Sequence, residues 1–128
     1  MTSDDEQKAI EEAFVESWDW TQRYFKDDTQ VLVWLEPIQK LINDLRERGY
    51  NRQLRAGRAM LTLILSRSLE HGLRPEQARI SFHAYPQGNM HVTYVENNQK
   101  AVELNLDHVA ITPEIETLLT RLLAHPID

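Results

Sequence analysis

The chain has 128 residues, 41% of them apolar and 27% charged, which supports one hydrophobic core and excludes an intrinsically disordered chain. It has no cysteine, which excludes a disulfide framework and a thiolate metal site. A formal net charge of -6 argues against nucleic acid and anionic membrane as partners.

The charge is unevenly spread. Between Arg46 and Arg79 there are eight arginines and three acids, a balance of +5, whereas the rest of the chain carries -11. The N-terminus, Met1 to Glu6, is acidic, the reverse of a secretory leader, and no apolar run follows it. The longest apolar stretch, Ala59 to Leu65, is too short to cross a bilayer. Cytoplasm is the expected location. No repeat, low-complexity tract or Gly/Ser/Pro linker divides the sequence, so residues 1–128 read as a single domain with residues 1–4 frayed.

The spacing predicts a first helix over roughly Asp5 to Phe25. Ala9, Ala13, Phe14, Trp18, Thr21 and Phe25 fall on one side and Glu11, Glu12, Glu16 and Asp19 on others, with Asp4 or Asp5 as cap. Lys26-Asp27-Asp28-Thr29 reads as a turn. A second helix runs from about Thr29 to Arg48 along the stripe Val31, Leu35, Ile38, Leu41, Ile42 and Leu45. Pro37 either lies in the first turn of a helix beginning near Glu36 or kinks a longer one, and Gly49 ends it.

Asn51 to His71 is read as a third helix. Leu54, Leu61, Ile64, Leu65 and Leu69 suit a buried helix and Gly72 stands where a C-terminal cap belongs. A strand over Met60 to Leu65 is the alternative. It is set aside because the apolar pattern outlasts a typical strand and lacks valine.

Three strands follow, in which Ile80, Phe82 and Ala84, then Met90, Val92 and Tyr94, then Val102, Leu104 and Leu106 alternate with polar residues. Pro86-Gln87-Gly88-Asn89 and Asn97-Asn98 supply the turns. Placing the apolar residues on one side pairs Ala84 with Met90 and Tyr94 with Val102. A last helix starts with Thr112 as cap and Pro113 in first position, buries Ile115, Leu118, Leu119, Leu122 and Leu123, and stops before Pro126. The expected fold is α+β: N-terminal helices, a three-stranded antiparallel meander and a C-terminal helix, with the helices on one sheet face.

Four groups of residues bear on function. Arg48, Arg52, Arg55 and Arg58 are spaced by four, three and three, so the last three share a face if helical. Guanidinium forks suit carboxylate or phosphate. The row pairs with the chain's own acidic first helix, with an acidic protein partner, or with phosphate. Only Tyr50 interleaves an aromatic ring with it, which weighs against single-stranded nucleic acid. Trp18, Trp20, Tyr24, Phe25 and Trp34 fall within seventeen residues. Trp18 and Trp20 are about 200° apart on a helix, so one of them leaves the core and becomes a candidate for protein contact or self-association as a homodimer.

The strand register puts His83 opposite His91 and His91 opposite Asn105 on the outer face, with Glu103 diagonal to the pair. Two imidazoles at that spacing can share a metal, but two ligands make a weak site, and neither metal nor cofactor is expected. His108 and His125 have no spacing partner.

The acids Glu11, Glu12, Glu16 and Asp19 form a run that resembles the carboxylate-bearing helices of all-α nucleotide pyrophosphohydrolases, in which acids hold magnesium near a triphosphate. Those enzymes carry paired acidic motifs on two helices, and the second helix here has only Glu36 and Asp44. The acids are therefore read as surface residues favoured by the helix dipole. Ser66 and Ser68 lie in no nucleophile elbow and the four glycines form no phosphate-cradling loop, so no catalytic residue is assigned. The expectation is a non-enzymatic protein-interaction or regulatory domain. The alternatives are a protein or enzyme that binds an anion or small molecule through the arginines, and association with nucleic acid through residues 46–79.

Overall fold

The computed structural model of the chain describes residues 3–70 and 72–128. Of the residues expected to fray, Met1 and Thr2 lie outside that set, and the first helix, α1, spans Ser3–Val31. It is longer than the sequence pattern indicated. Lys26-Asp27-Asp28-Thr29 stays helical because it contains no glycine or proline, and the Thr29 hydroxyl donates back to the Phe25 carbonyl at 2.7 Å instead of turning the chain. The break comes at Leu32, whose φ of -112° and ψ of 85° are not helical. A single 3-10 turn, Val33–Leu35, leads into α2, Glu36–Glu47, with Pro37 in its first turn. Gly49, at φ 89°, ends it in the left-handed conformation that favours glycine.

The expected third helix does not form. Asn51 to His71 is instead a 3-10 turn, Tyr50–Arg52, followed by a hairpin of strand β1, Arg55–Ala59, and strand β2, Thr62–Ser66; His71 itself lies outside the described residues. The true period is two. Ala56, Leu63 and Leu65 are buried on one face, while Gly57, Thr62 and Ile64 lie on the other. The hairpin turns at Met60-Leu61, with Met60 at φ 54°, a position where glycine or asparagine is the usual signal.

Strands β3, Arg79–Ala84, β4, Met90–Glu96, and β5, Gln99–Leu106, complete a five-stranded antiparallel meander in the order β1-β2-β3-β4-β5. The sheet therefore has two strands more than expected. The α+β class holds, and the register of the last three strands includes Ala84 against Met90 and Tyr94 against Val102. Helix α3, Pro113–Leu123, is capped by Thr112, whose hydroxyl accepts from the Ile115 N–H at 3.3 Å.

All three helices contribute to one core. Phe14, Trp18 and Phe25 of α1, the Ile38–Leu45 stripe of α2 and Ile115, Leu119 and Leu122 of α3 are buried with Leu63, Ile80, Phe82, Val92 and Tyr94 of the sheet. Among the described residues, no helix covers the opposite face. Its rows run Gly57, Ile64, Ser81, Thr93, Glu103 and Ala59, Thr62, His83, His91, Asn105. Among the described residues, no helix is long and apolar enough to cross a membrane.

At the β4 end, Glu96 gathers three side chains: it accepts from the Tyr94 hydroxyl and is bonded to His125, both at 2.8 Å, and it pairs with Arg121. The arginine and histidine hydrogen bonds hold the Glu96 carboxyl down to about 2. Burial, reinforced by Glu96, pushes the Tyr94 phenol up. The C-terminal residues are tied to the β2–β3 connection, since Arg67 donates to the His125 carbonyl and Gln77 to Asp128, each at 3.1 Å.

Candidate docking site

Trp18 and Trp20 diverge as helix geometry requires. Trp18 is fully buried and its indole N–H donates to the Leu54 carbonyl at 2.8 Å. Trp20 is 49% exposed, and Tyr24, one turn later on the same face, is 45% exposed. Their rings stack with centroids 6.0 Å apart and planes at 28°. Two guanidiniums flank the pair: Arg23 lies 5.0 Å from the Trp20 ring centre and Arg58 4.5 Å from that of Tyr24. Arg58 is itself held by Asp28. Cation–π contact on both sides fixes two rings that would otherwise swing freely in water. Trp34 does not join them; it lies in the 3-10 turn before α2, partly buried against the core.

The ring pair forms one wall of a groove of about 510 Å³ between α1 and β1, whose floor includes Ser17, Thr21, Ala56 and Gly57. β1 is an edge strand, bonded to β2 on one side only. α1 packs along the other side: the Ser17 hydroxyl accepts from the Ala56 N–H at 2.9 Å while donating to the Phe14 carbonyl at 2.5 Å, and Asp28 and the Tyr24 ring hold Arg58. Ser17 thus stands in for the strand partner that Ala56 lacks.

The arginine row does not form a helical face. Arg48 follows the last turn of α2 and pairs with Glu116 of α3. Arg52, exposed in the 3-10 turn, makes no ion pair among the described residues but lines a shallow acidic depression with Glu12, Glu16 and Asp19 of α1. Arg55 and Arg58, three apart on a strand, point to opposite faces. Arg55 donates to the Ser68 and Leu69 carbonyls at 2.9 and 2.6 Å, and burial lowers its basicity. Arg58 turns to α1. Only Arg55 and Arg58 of the row line the groove.

His83 and His91 face each other across β3 and β4, but three of their four ring nitrogens are engaged elsewhere. His83 Nδ1 meets the Thr62 hydroxyl at 2.8 Å, while His91 Nδ1 meets Asn105 at 2.7 Å and its Nε2 meets Glu103 at 3.0 Å. Among the described residues, no group of three or more His, Asp or Glu side chains could hold a metal.

Sequence reasoning missed Ser17, Arg23 and Gly57. Gly57 carried a usable signal, because a glycine inside an apolar run marks strand irregularity more often than helix interior. Ser17 carried none, since its role depends on a strand thirty-nine residues away. No protein-family model matches the chain, and no curated protein or solved structure is significantly similar to it.

Proposed function

We propose that this chain is a protein-interaction module that takes a partner segment in the groove between α1 and β1. One observation carries the reading: a stacked, half-exposed Trp20–Tyr24 pair held by two arginines along a groove between α1 and β1. Trp, Tyr and Arg are the residue types that dominate binding energy at protein interfaces. Rings fixed before binding lose little freedom on contact.

The test is a random-peptide display selection on the folded protein, with the recovered peptides remeasured on Trp20→Ala and Tyr24→Ala. Selected peptides are expected to lose about tenfold or more in affinity on each variant, as removal of an aromatic anchor does. Peptides whose binding is unchanged on both variants would place docking elsewhere and overturn the reading.

A further inference from the structure

We infer that two copies of this chain pair β5 with β5, antiparallel and with Leu104 on the two-fold axis, so that their sheets join into one. The inference does not depend on the α1–β1 groove, which lies at the opposite edge of the sheet.

The two edges differ in what covers them. α1 packs along β1, whereas β4 is the one element that β5 meets at length among the described residues. α3 lies against β3, so the helix layer stops short of β5 and leaves Val102, Leu104 and Leu106 only partly buried. The β3–β4 turn decides which main-chain groups face outward. There the Tyr85 N–H donates to the Asn89 carbonyl, so bonded pairs recur at every second residue, His83 with His91 and Ser81 with Thr93. Met90, Val92 and Tyr94 then bond to Leu106, Leu104 and Val102, and the N–H and C=O of Glu103 and Asn105 point away from the sheet. Carried to the far edge, the same alternation turns Ala56 outward, where its N–H meets Ser17. Among the described residues, no backbone group takes up the outward N–H groups of Glu103 and Asn105.

Side chains select the partner and the register. With α1 on the β1 edge, β5 of a second copy cannot add there, which excludes open-ended stacking and leaves β5 on β5, a closed pair. Residues that point outward lie opposite one another in such a pair, so the axis passes through a residue, and Val102 to Asn105 give overlap along most of the strand. An axis at Glu103 sets two carboxylates face to face, and one at Asn105 sets Glu103 against Asp107. An axis at Val102 draws in the irregularity between Lys100 and Val102, where the β4 register shifts. The axis at Leu104 avoids all three. It lets Glu103 and Asn105 exchange main-chain bonds twice, and on the core side Leu104 meets Leu104 and Val102 meets Leu106. On the outer face an amide opposes a carboxylate. Within one copy His91 engages Asn105 Oδ1 at 2.7 Å and Glu103 Oε1 at 3.0 Å. Asn105 Nδ2 and Glu103 Oε2 bond to no side chain among the described residues, which leaves a donor and an acceptor in register across the axis. One short strand from each copy makes a small interface, so the dimer is a weak one.

The test is sedimentation of the folded protein from about 10 µM to about 1 mM, with three variants at Asn105. The average mass of the wild type should rise from one chain towards two and stop there. Asn105→Pro removes an outward N–H, which an edge strand tolerates, and should leave a folded monomer. Asn105→Lys sets a cation opposite Glu103 and should tighten the dimer about three- to tenfold, and Asn105→Asp should loosen it as much, each change acting twice across the axis. Trp20→Ala should leave the mass curve unchanged. A wild type that stays monomeric, or grows beyond two chains, would overturn the pairing, as would a dimer that survives in folded Asn105→Pro. A dimer lost in Trp20→Ala would overturn it too and leave the groove as the docking site. Asn105→Lys and Asn105→Asp failing to act in opposite directions would overturn the register, and that pair of variants decides alone if the proline variant does not fold.

Discussion

Two tyrosines in this protein have an arginine over the ring, and they sit in opposite circumstances. Tyr94 lies under Arg121 at 4.9 Å, is fully buried, and hands its hydroxyl to Glu96, which also binds Arg121 and His125. Tyr24 lies under Arg58 at 4.5 Å and leaves nearly half its surface in water beside an equally exposed Trp20. In the first region every polar group is consumed by its neighbours, and among the described residues no buried side-chain nitrogen or oxygen lacks a partner. In the second, the cation–π contacts order the rings without covering them. The closed region contributes to folding; the open one keeps two ordered rings half in water.

The comparison breaks most visibly along α1 itself. Trp18→Ala removes a fully buried indole and its bond to the Leu54 carbonyl, and should cost about 3–5 kcal/mol in denaturant unfolding. A loss below about 1 kcal/mol would mean that α1 does not pack as described.

Glu96→Gln should cost about 1–2 kcal/mol and flatten the acid limb of the stability curve. The sign follows from the carboxyl being held at about 2, below its ordinary 4.5. Its contribution is complete above the unfolded value and is lost as pH falls from about 4.5 towards 2. The full shift corresponds to roughly 3 kcal/mol, which solvent screening at this rim position reduces. Parallel acid limbs in the wild type and Glu96→Gln would contradict the closed network.

Ser17→Ala comes next. It leaves the Ala56 N–H at the edge without its surrogate partner, for about 1 kcal/mol, and amide exchange should accelerate at Ala56 ahead of Leu63 and Leu65. The smallest effect on folding is expected for Trp20→Ala, within about 0.5 kcal/mol, although the same change should weaken binding of display-selected peptides about tenfold or more. A large loss of stability from Trp20→Ala would make the ring pair structural.

Much of this architecture was legible where the chemistry is local. The caps at Thr112 and Gly49, Pro37 in a first turn, and the alternation of the last three strands needed only near neighbours in sequence to be read. Residues 51–71 resisted because their determinants are tertiary. Leu63 and Leu65 are strand residues only because Ile80 and Phe82 pair beside them. Met60 holds a left-handed turn with no residue that announces it. The site was half legible for the same reason. Helix geometry required Trp18 and Trp20 to part, but not that Tyr24 and Arg58 would meet. That contact needed the hairpin in place of the helix.

The most direct test uses the three indole N–H signals of the tryptophans in a 15N-labelled sample titrated with a display-selected peptide. Docking in the α1–β1 groove predicts that the Trp20 signal shifts or broadens while that of buried Trp18 stays in place. A peptide that binds and leaves the Trp20 signal unmoved would contradict it.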